Sequence, residues 1–431
     1  MVYDAEEYRK KRPLVLAGEL RASVNDLWIM LYDLIGTSFI ELKEEKNQKT
    51  LEDAVTLFQM LLSAADTDDD EEMDIIFEAL ENMLHREAPV KRVLEMLHEA
   101  DISFTELRYH NRELTDIRDY LLKNCFSLEL AETMVHLGVD LNEPLIKGRT
   151  PAFILAYERN FEGAGGWNSY QNELDEAYAK LVETVFSVES MEALDAEGSS
   201  AAHWAVRQYK YRMLSAMLKK GVNVNLTQDQ PSVAGTTLLH IACEYGFPEM
   251  VRLLMEAGAD DTLQNEKEET AAHMTVSRNV RYKTISAETR VEMIKLLEHV
   301  DIPGKKGTTP LMAAQDYDLH ASYILTPVFI EKGADVNRTD NAGNTALLLH
   351  AIWYCDKAVV KAMVNAGYEI NARNKDGNTI LHYAIKNKSS EVARYLLKKG
   401  ADYTIVNEKQ ITPLQMAVEN GLEEVLPLMG V

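Results

Sequence analysis

Cysteine is scarce in this chain: 431 residues hold three, Cys125, Cys243 and Cys355. They show neither close pairing nor metal-ligand spacing, and an odd number leaves at least one thiol unpaired in a monomer. A disulfide-stapled scaffold is excluded, and a reducing cytosol fits. No apolar run reaches the length of a membrane span. The first residues, Met1 to Lys10, lack the charged-then-apolar order of a signal peptide, so the expectation is a soluble cytoplasmic protein. Basic residues are outnumbered, 45 against 69 acidic. The net charge of −24 repels nucleic acid and anionic membranes and favours a basic protein partner.

Signatures of catalysis are missing as well. The run from Asp66 to Met73 begins like a calcium loop, but it has no glycine for the sharp turn and places Phe77 where the last carboxylate ligand belongs. It reads instead as an acidic helix start, where carboxylates favour the positive end of the helix dipole. Gly304-Lys-Lys-Gly307 has the wrong spacing for a phosphate loop, and Gly163-Ala-Gly-Gly166 follows no strand pattern. No nucleophile stands beside a base, and no cofactor fingerprint is present. The expectation is a non-enzyme with no cofactor and no metal. An enzyme active in the N-terminal region or in an insertion is the alternative.

What the chain does have is recurrence. The segment Asn374-Lys-Asp-Gly377-Asn-Thr379-Ile-Leu-His382-Tyr-Ala384, followed by Leu396-Leu-Lys-Lys-Gly400-Ala-Asp402, returns in degenerate copies. Thr379 suits a helix N-cap, because its hydroxyl accepts one of the backbone N–H groups that a helix start leaves over. Leu381 and Ala384 face inward, Leu396 and Leu397 give the next helix its apolar face, and Gly400 ends that helix in the left-handed conformation. The helix-start position recurs at Thr150, Ser200, Thr237, Thr270, Thr309, Thr345, Thr379 and Thr412. The helix-ending half recurs at Gly221, Gly258, Gly333 and Gly367.

This pattern resembles the ankyrin repeat, with its Thr-Pro-Leu-His-x-Ala helix start at roughly 33 residues per unit. The resemblance implies an all-α ankyrin-repeat solenoid of stacked helix pairs joined by hairpin loops. It covers residues 148–431, with an insertion at about 158–185 that includes Gly163-Ala-Gly-Gly166-Trp167. Val93 to Ile102 and Ala131 to Asp140 read like second helices of eroded repeats, so residues 70–147 are taken as degenerate ankyrin-like helix pairs. Residues 1–69 are helical by apolar spacing and serve as an N-terminal helical cap or small domain. Two departures stand out. His350 occupies the place of the small alanine, which calls for a shifted or altered unit. Leu296 to Asp301 lacks its glycine. His203, His240, His273 and His382 take the repeat's structural position and should bond to backbone rather than to metal.

In ankyrin-like proteins the hairpin tips and the outer positions of each first helix line a concave groove. Counting along each first helix gives the partner-binding candidates Tyr157 and Glu158, Arg207, Glu244 and Tyr245, Arg278, Asp316 and Tyr317, and Trp353. Aromatic rings among carboxylates suit a basic partner's side chains. The plainer reading is that these rings pack against adjacent helices. The expected function is a protein-binding module that engages a basic partner, with an inhibitor or immunity protein as one form. An adaptor or secreted effector with a separate N-terminal binding region is the alternative.

Overall fold

The computed structural model describes residues 5–16, 21–36, 48–65, 69–85, 90–99, 108–109, 115–124, 126–145, 148–157, 169–277, 285–315 and 319–430. Their regular secondary structure is helical apart from a two-residue antiparallel ladder, β1 (Arg108–Tyr109) with β2 (Thr115–Asp116), and an isolated bridge between Thr227 and Thr237. The chain divides into two compact units, Met1–Val222 and Asn223–Val431.

Unit 1 contains α1 (Ala5–Leu16), α2 (Val24–Gly36), α3 (Gln48–Ala64), α4 (Asp70–His85), α5 (Val90–Glu99), α6 (Ile117–Asn124), α7 (Leu128–His136), α8 (Pro151–Tyr157), α9 (Ser169–Thr184), the short α10 (Val188–Glu192), α11 (Ala201–Arg207) and α12 (Tyr211–Lys220). They stack in two rows. In one, α2 lies on α4, α6 on α8 and α8 on α11. In the other, α3 lies on α5, α5 on α7, α7 on α9 and α9 on α12. Within the segment read as an insertion, Ser169–Thr184 is thus a helix in the second row, and residues 158–168 lie outside the described ones. Helix α9 also reaches across to the start of α12, where the buried Asp175 carboxylate accepts from the N–H groups of Arg212 at 2.8 Å and Met213 at 3.0 Å.

Unit 2 repeats a simpler pattern. Its first helices are α13 (Leu238–Tyr245), α15 (Ala271–Val276), α17 (Pro310–Gln315), α19 (Ala346–Trp353), α21 (Ile380–Lys386) and α23 (Pro413–Glu419). Each lies on the next, as do the second helices α14 (Pro248–Glu256), α16 (Ala287–Leu296), α18 (Leu319–Glu331), α20 (Lys357–Asn365) and α22 (Ser390–Lys398).

The signature residues account for these boundaries. Thr237, Thr345 and Thr412 cap their helices by accepting the N–H of His240, Leu348 and Gln415, a contribution of about 1 kcal/mol each. Leu381, Ala384 and Leu396 are fully buried, and burial of a leucine stabilises by roughly 2 kcal/mol. Gly400 has φ +92° with open space where a side chain would begin, so its requirement is conformational. At Gly377, φ is +73° and a Cβ would also fall 2.9 Å from the Asn407 Cα, so the next hairpin leaves no room for one.

The unit that lacks its closing glycine ends differently. Asp261, from the preceding unit, accepts from the N–H groups of Glu298 at 2.6 Å and His299 at 2.9 Å. Its other oxygen lies 2.6 Å from His299 Nδ1, and this hydrogen bond raises the imidazole pKa. A carboxylate from one unit thus closes the helix of the next.

Candidate protein-binding surface

The surface is positioned by polar bonds from one repeat to the next. The Thr237 N–H donates to His240 Nδ1 at 3.2 Å, so the ring proton sits on Nε2, which donates to the Glu269 carbonyl of the following unit at 2.8 Å. His273 reaches the Thr308 carbonyl at 3.0 Å and His382 that of Ile411 at 3.3 Å in the same way. Burial pulls His240 down to about 4 and lowers His273 and His382 as well, so these rings stay neutral. Each is a structural fastener.

Hairpin tips are joined likewise. Glu266 N–H donates to Ala234 at 3.0 Å, Asn341 to Lys306 at 2.8 Å, Lys375 to Ala342 at 3.1 Å and Glu408 to Asp376 at 2.9 Å. Beneath them, Asn374 Nδ2 donates to Asn344 Oδ1 and Asn407 Nδ2 to Asn378 Oδ1, both at 3.0 Å.

A third joint escaped the sequence reading. Asn337 accepts from Glu369 N–H at 2.7 Å and donates to the Gly367 carbonyl at 2.9 Å, while Asn225 accepts from Asp260 and Asn371 from Asp402. In unit 1, Asn142 accepts from Ser187 N–H at 2.6 Å and donates to the Val185 carbonyl at 3.3 Å. The signal was available: Gly138-Val-Asp-Leu-Asn142, Gly221-Val-Asn-Val-Asn225, Gly333-Ala-Asp-Val-Asn337 and Gly367-Tyr-Glu-Ile-Asn371 share an asparagine four residues past the helix-ending glycine.

His350 does not shift its unit. Thr345 caps α19 in the ordinary register, and the imidazole is fully buried in a directed network. Asp356 N–H donates to its Nε2 at 3.0 Å, which leaves the proton on Nδ1 to meet Ser322 Oγ at 3.1 Å. Ser322 donates to Gln315 Oε1 at 2.5 Å, and Gln315 Nε2 donates to Thr326 Oγ1 and the Leu311 carbonyl, both at 3.1 Å. Burial holds His350 at about 4. The helix therefore keeps its register, and Trp353 takes the outer position predicted for it.

Of the candidate contact residues, Glu158, Arg278, Asp316 and Tyr317 lie outside the described residues. Tyr157 and Arg207 are brought together, though as parts of a half-buried stack. The Tyr157 ring lies 4.6 Å from Trp204 and 5.4 Å from the Arg149 guanidinium, and Arg207 covers Trp204 at 5.0 Å. Trp204 and Arg149 are the residues that the sequence reading passed over here. Glu244 and Tyr245 are half-buried, with Tyr245 tilted against Phe247 at 5.9 Å. Trp353 is 68% exposed, and among the described residues no ring or cation covers it.

Charge is unevenly placed. Unit 1 carries 42 acidic and 24 basic residues, net −18, against 27 and 21, net −6, in unit 2. Within unit 2 the segment from Thr345 to Ile411 is reversed, with ten basic residues and six acidic. Among the described residues no helix is long and apolar enough to cross a membrane, and no cluster of three metal-ligating side chains occurs.

The family comparison agrees with this architecture. The family model for ankyrin repeats (3 copies) matches residues 175–265, 284–374 and 348–429, more than half of the chain. The mouse B-cell lymphoma 3 protein homolog is 27% identical over 245 residues, which cover 54% of this chain and 51% of the relative. The Arabidopsis thaliana E3 ubiquitin-protein ligase KEG is 23% identical over 281 residues, 56% of this chain and 17% of the relative. The chain thus spans about half the length of the first of these and less of the second. The crystal structure of the ankyrin repeat domain of Bcl-3 is similar at a TM-score of 0.44 and 22% identity, covering 55% of this chain and all of that domain. Capped first helices, histidine fasteners, hairpin tips and the family match converge, and the chain belongs to the ankyrin repeat family.

Proposed function

We propose that this chain is a non-catalytic protein-binding module that engages a basic protein partner through an acidic and aromatic concave surface. Glu244, Tyr245 and Trp353, on the first-helix face of unit 2, supply close contacts. The observation that carries the reading is the chain's net charge of −24, a field that raises the capture rate of positively charged proteins and falls off with ionic strength. Trp353 adds an exposed aromatic anchor of the kind that dominates interface energies. Inhibition of the basic partner, in the manner of an immunity protein, is one form this takes. The concentration of basic residues between Thr345 and Ile411 favours a second reading, an adaptor that holds partners of opposite charge.

The test is retention of proteins from a source lysate on the immobilised chain at low and high salt, beside a Trp353→Ala variant. A basic protein held at low salt, released at high salt and weakened by the variant is the expected result. Retention that is indifferent to salt overturns the electrostatic reading, and retention that is indifferent to the variant removes Trp353 from the interface.

A further inference from the structure

In a chain of net charge −24, cations gather on the outer face of two neighbouring second helices. Lys357 and Lys361 sit one turn apart on α20. Glu391, Arg394, Tyr395 and Lys398 follow helical spacing on α22, with Lys399 just beyond its end. The two helices pack side by side. Lys357 Nζ lies 2.9 Å from Glu391 Oε2. The Lys361 and Lys399 ammonium groups each lie 5.8 Å from the centre of the Tyr395 ring. The Glu391 carboxyl is held below its usual range by the hydrogen bond from Lys357, and the charges of Arg394 and Lys361 add to the effect. Three cations thus act on one carboxylate, and Lys398 and Lys399 extend the positive charge along α22.

Helix dipoles explain part of this. Lys398 and Lys399 stand at the C-terminal end of α22, where a positive charge is favoured. Lys361 and Arg394 have no such reason to be there, and gathering like charges around a single ring is unfavourable without counter-charge. Lys361, Arg394, Lys398 and Lys399 are exposed.

We infer that the α20–α22 face is a docking site for a carboxylate-rich protein segment, held by Lys361, Arg394, Lys398 and Lys399 around Tyr395. Charge complementarity selects that occupant. A short acidic segment spans the cluster alone, whereas a nucleic acid or an anionic bilayer extends beyond the screening length of about 10 Å and meets the acidic remainder of the chain. Arg394 offers the planar donor fork that matches a carboxylate. This site is separate from the first-helix face and does not rest on the capture of a basic partner.

The experiment uses the full chain and a fluorescein-labelled oligoglutamate peptide, with anisotropy read at low and at high salt. Lys361→Glu/Arg394→Glu should weaken binding by about tenfold or more, equivalent to at least 1.4 kcal/mol. Lys361→Ala/Arg394→Ala should give a smaller loss, and Lys386→Glu/Lys388→Glu, at the end of a first helix, should leave binding unchanged. Unfolding midpoints check that all three variants keep the fold. The proposal is overturned if wild type does not bind the peptide, if the α20–α22 variants bind as wild type does, or if the Lys386/Lys388 pair matters as much. Flotation with phosphatidylserine-containing vesicles supplies the last arm: vesicle binding without peptide binding assigns the patch to a lipid surface and overturns the peptide reading.

Discussion

Both units stack their helices in two rows and hold the rows together differently. In unit 2, neighbouring repeats are joined by directed polar bonds from His240, His273 and His382, from hairpin tip to hairpin tip, and from Asn225, Asn337 and Asn371. In unit 1 the joints are more varied: the Asp175 carboxylate on the start of α12, the Asn142 bridge, and the stack of Arg149, Tyr157, Trp204 and Arg207. Unit 1 also carries three times the net charge. Repeated bonding geometry demands repeated residues, whereas packing and long-range caps accept many sequences. That difference decides where a repeat can be seen.

Acid should separate the units most strongly. His240 and His350, both in unit 2, have folded pKa values of about 4 against an ordinary 6.5, so the unfolded chain takes up their protons first. Each contribution is complete above about pH 6.5 and is lost as pH falls towards about 4, by roughly 3 kcal/mol per histidine. Over the same range, protonation of carboxylates relieves the self-repulsion of unit 1. Amide exchange, corrected for its intrinsic pH dependence, should show unit 2 opening first. Equal loss of protection in both units would remove the distinction.

Tryptophan gives the next largest contrast. Trp204 lies inside the unit 1 stack, and its replacement by alanine should cost about 3 kcal/mol in denaturant unfolding. Trp353→Ala, at an exposed position of unit 2, should stay within about 0.5 kcal/mol. Comparable costs would mean that Trp353 is packed and unavailable to a partner.

The asparagine bridge sharpens the comparison from the other side, because it occurs in both units. Asn142→Ala should destabilise by about 1–3 kcal/mol, since it strands a part-buried backbone donor and acceptor, and Asn337→Ala, whose bonds are exposed to water, by about 0.5–1.5 kcal/mol. A negligible effect in unit 1 alone would show that its bridge is redundant. The smallest effect is expected at Lys388, which is exposed with φ +55°. There Lys388→Gly should stabilise by about 0.5 kcal/mol, the relief of left-handed strain less the added freedom of the unfolded chain.

These contrasts explain what could be read in advance. From Gly148 onward the repeat was visible because Thr, His and Gly positions carry fixed bonding duties. Upstream, α2 to α7 also stack in rows, and the sequence there shows helical spacing, the eroded second-helix runs Val93–Ile102 and Ala131–Asp140, and Asn142. At the surface, counting along helices located Tyr157, Arg207, Tyr245 and Trp353, but a count cannot say whether a neighbour covers a ring. Arg149 and Trp204 cover Tyr157, whereas Trp353 is left open. His350 looked like a fault because its partners, Ser322 and Gln315, lie in the preceding unit and are joined to it only by folding.

The two described cysteines mark time as well as place. Cys243 and Cys355 are buried in different repeats of unit 2, and burial raises both thiols, Cys355 to about 12 and Cys243 further. A thiol reagent reaches neither until the surrounding helices part, so mass added at each position records how often its repeat opens. Read at two sites in one experiment, the pair forms a stopwatch with separate hands. They advance together if the solenoid breathes as a whole and apart if one repeat leads.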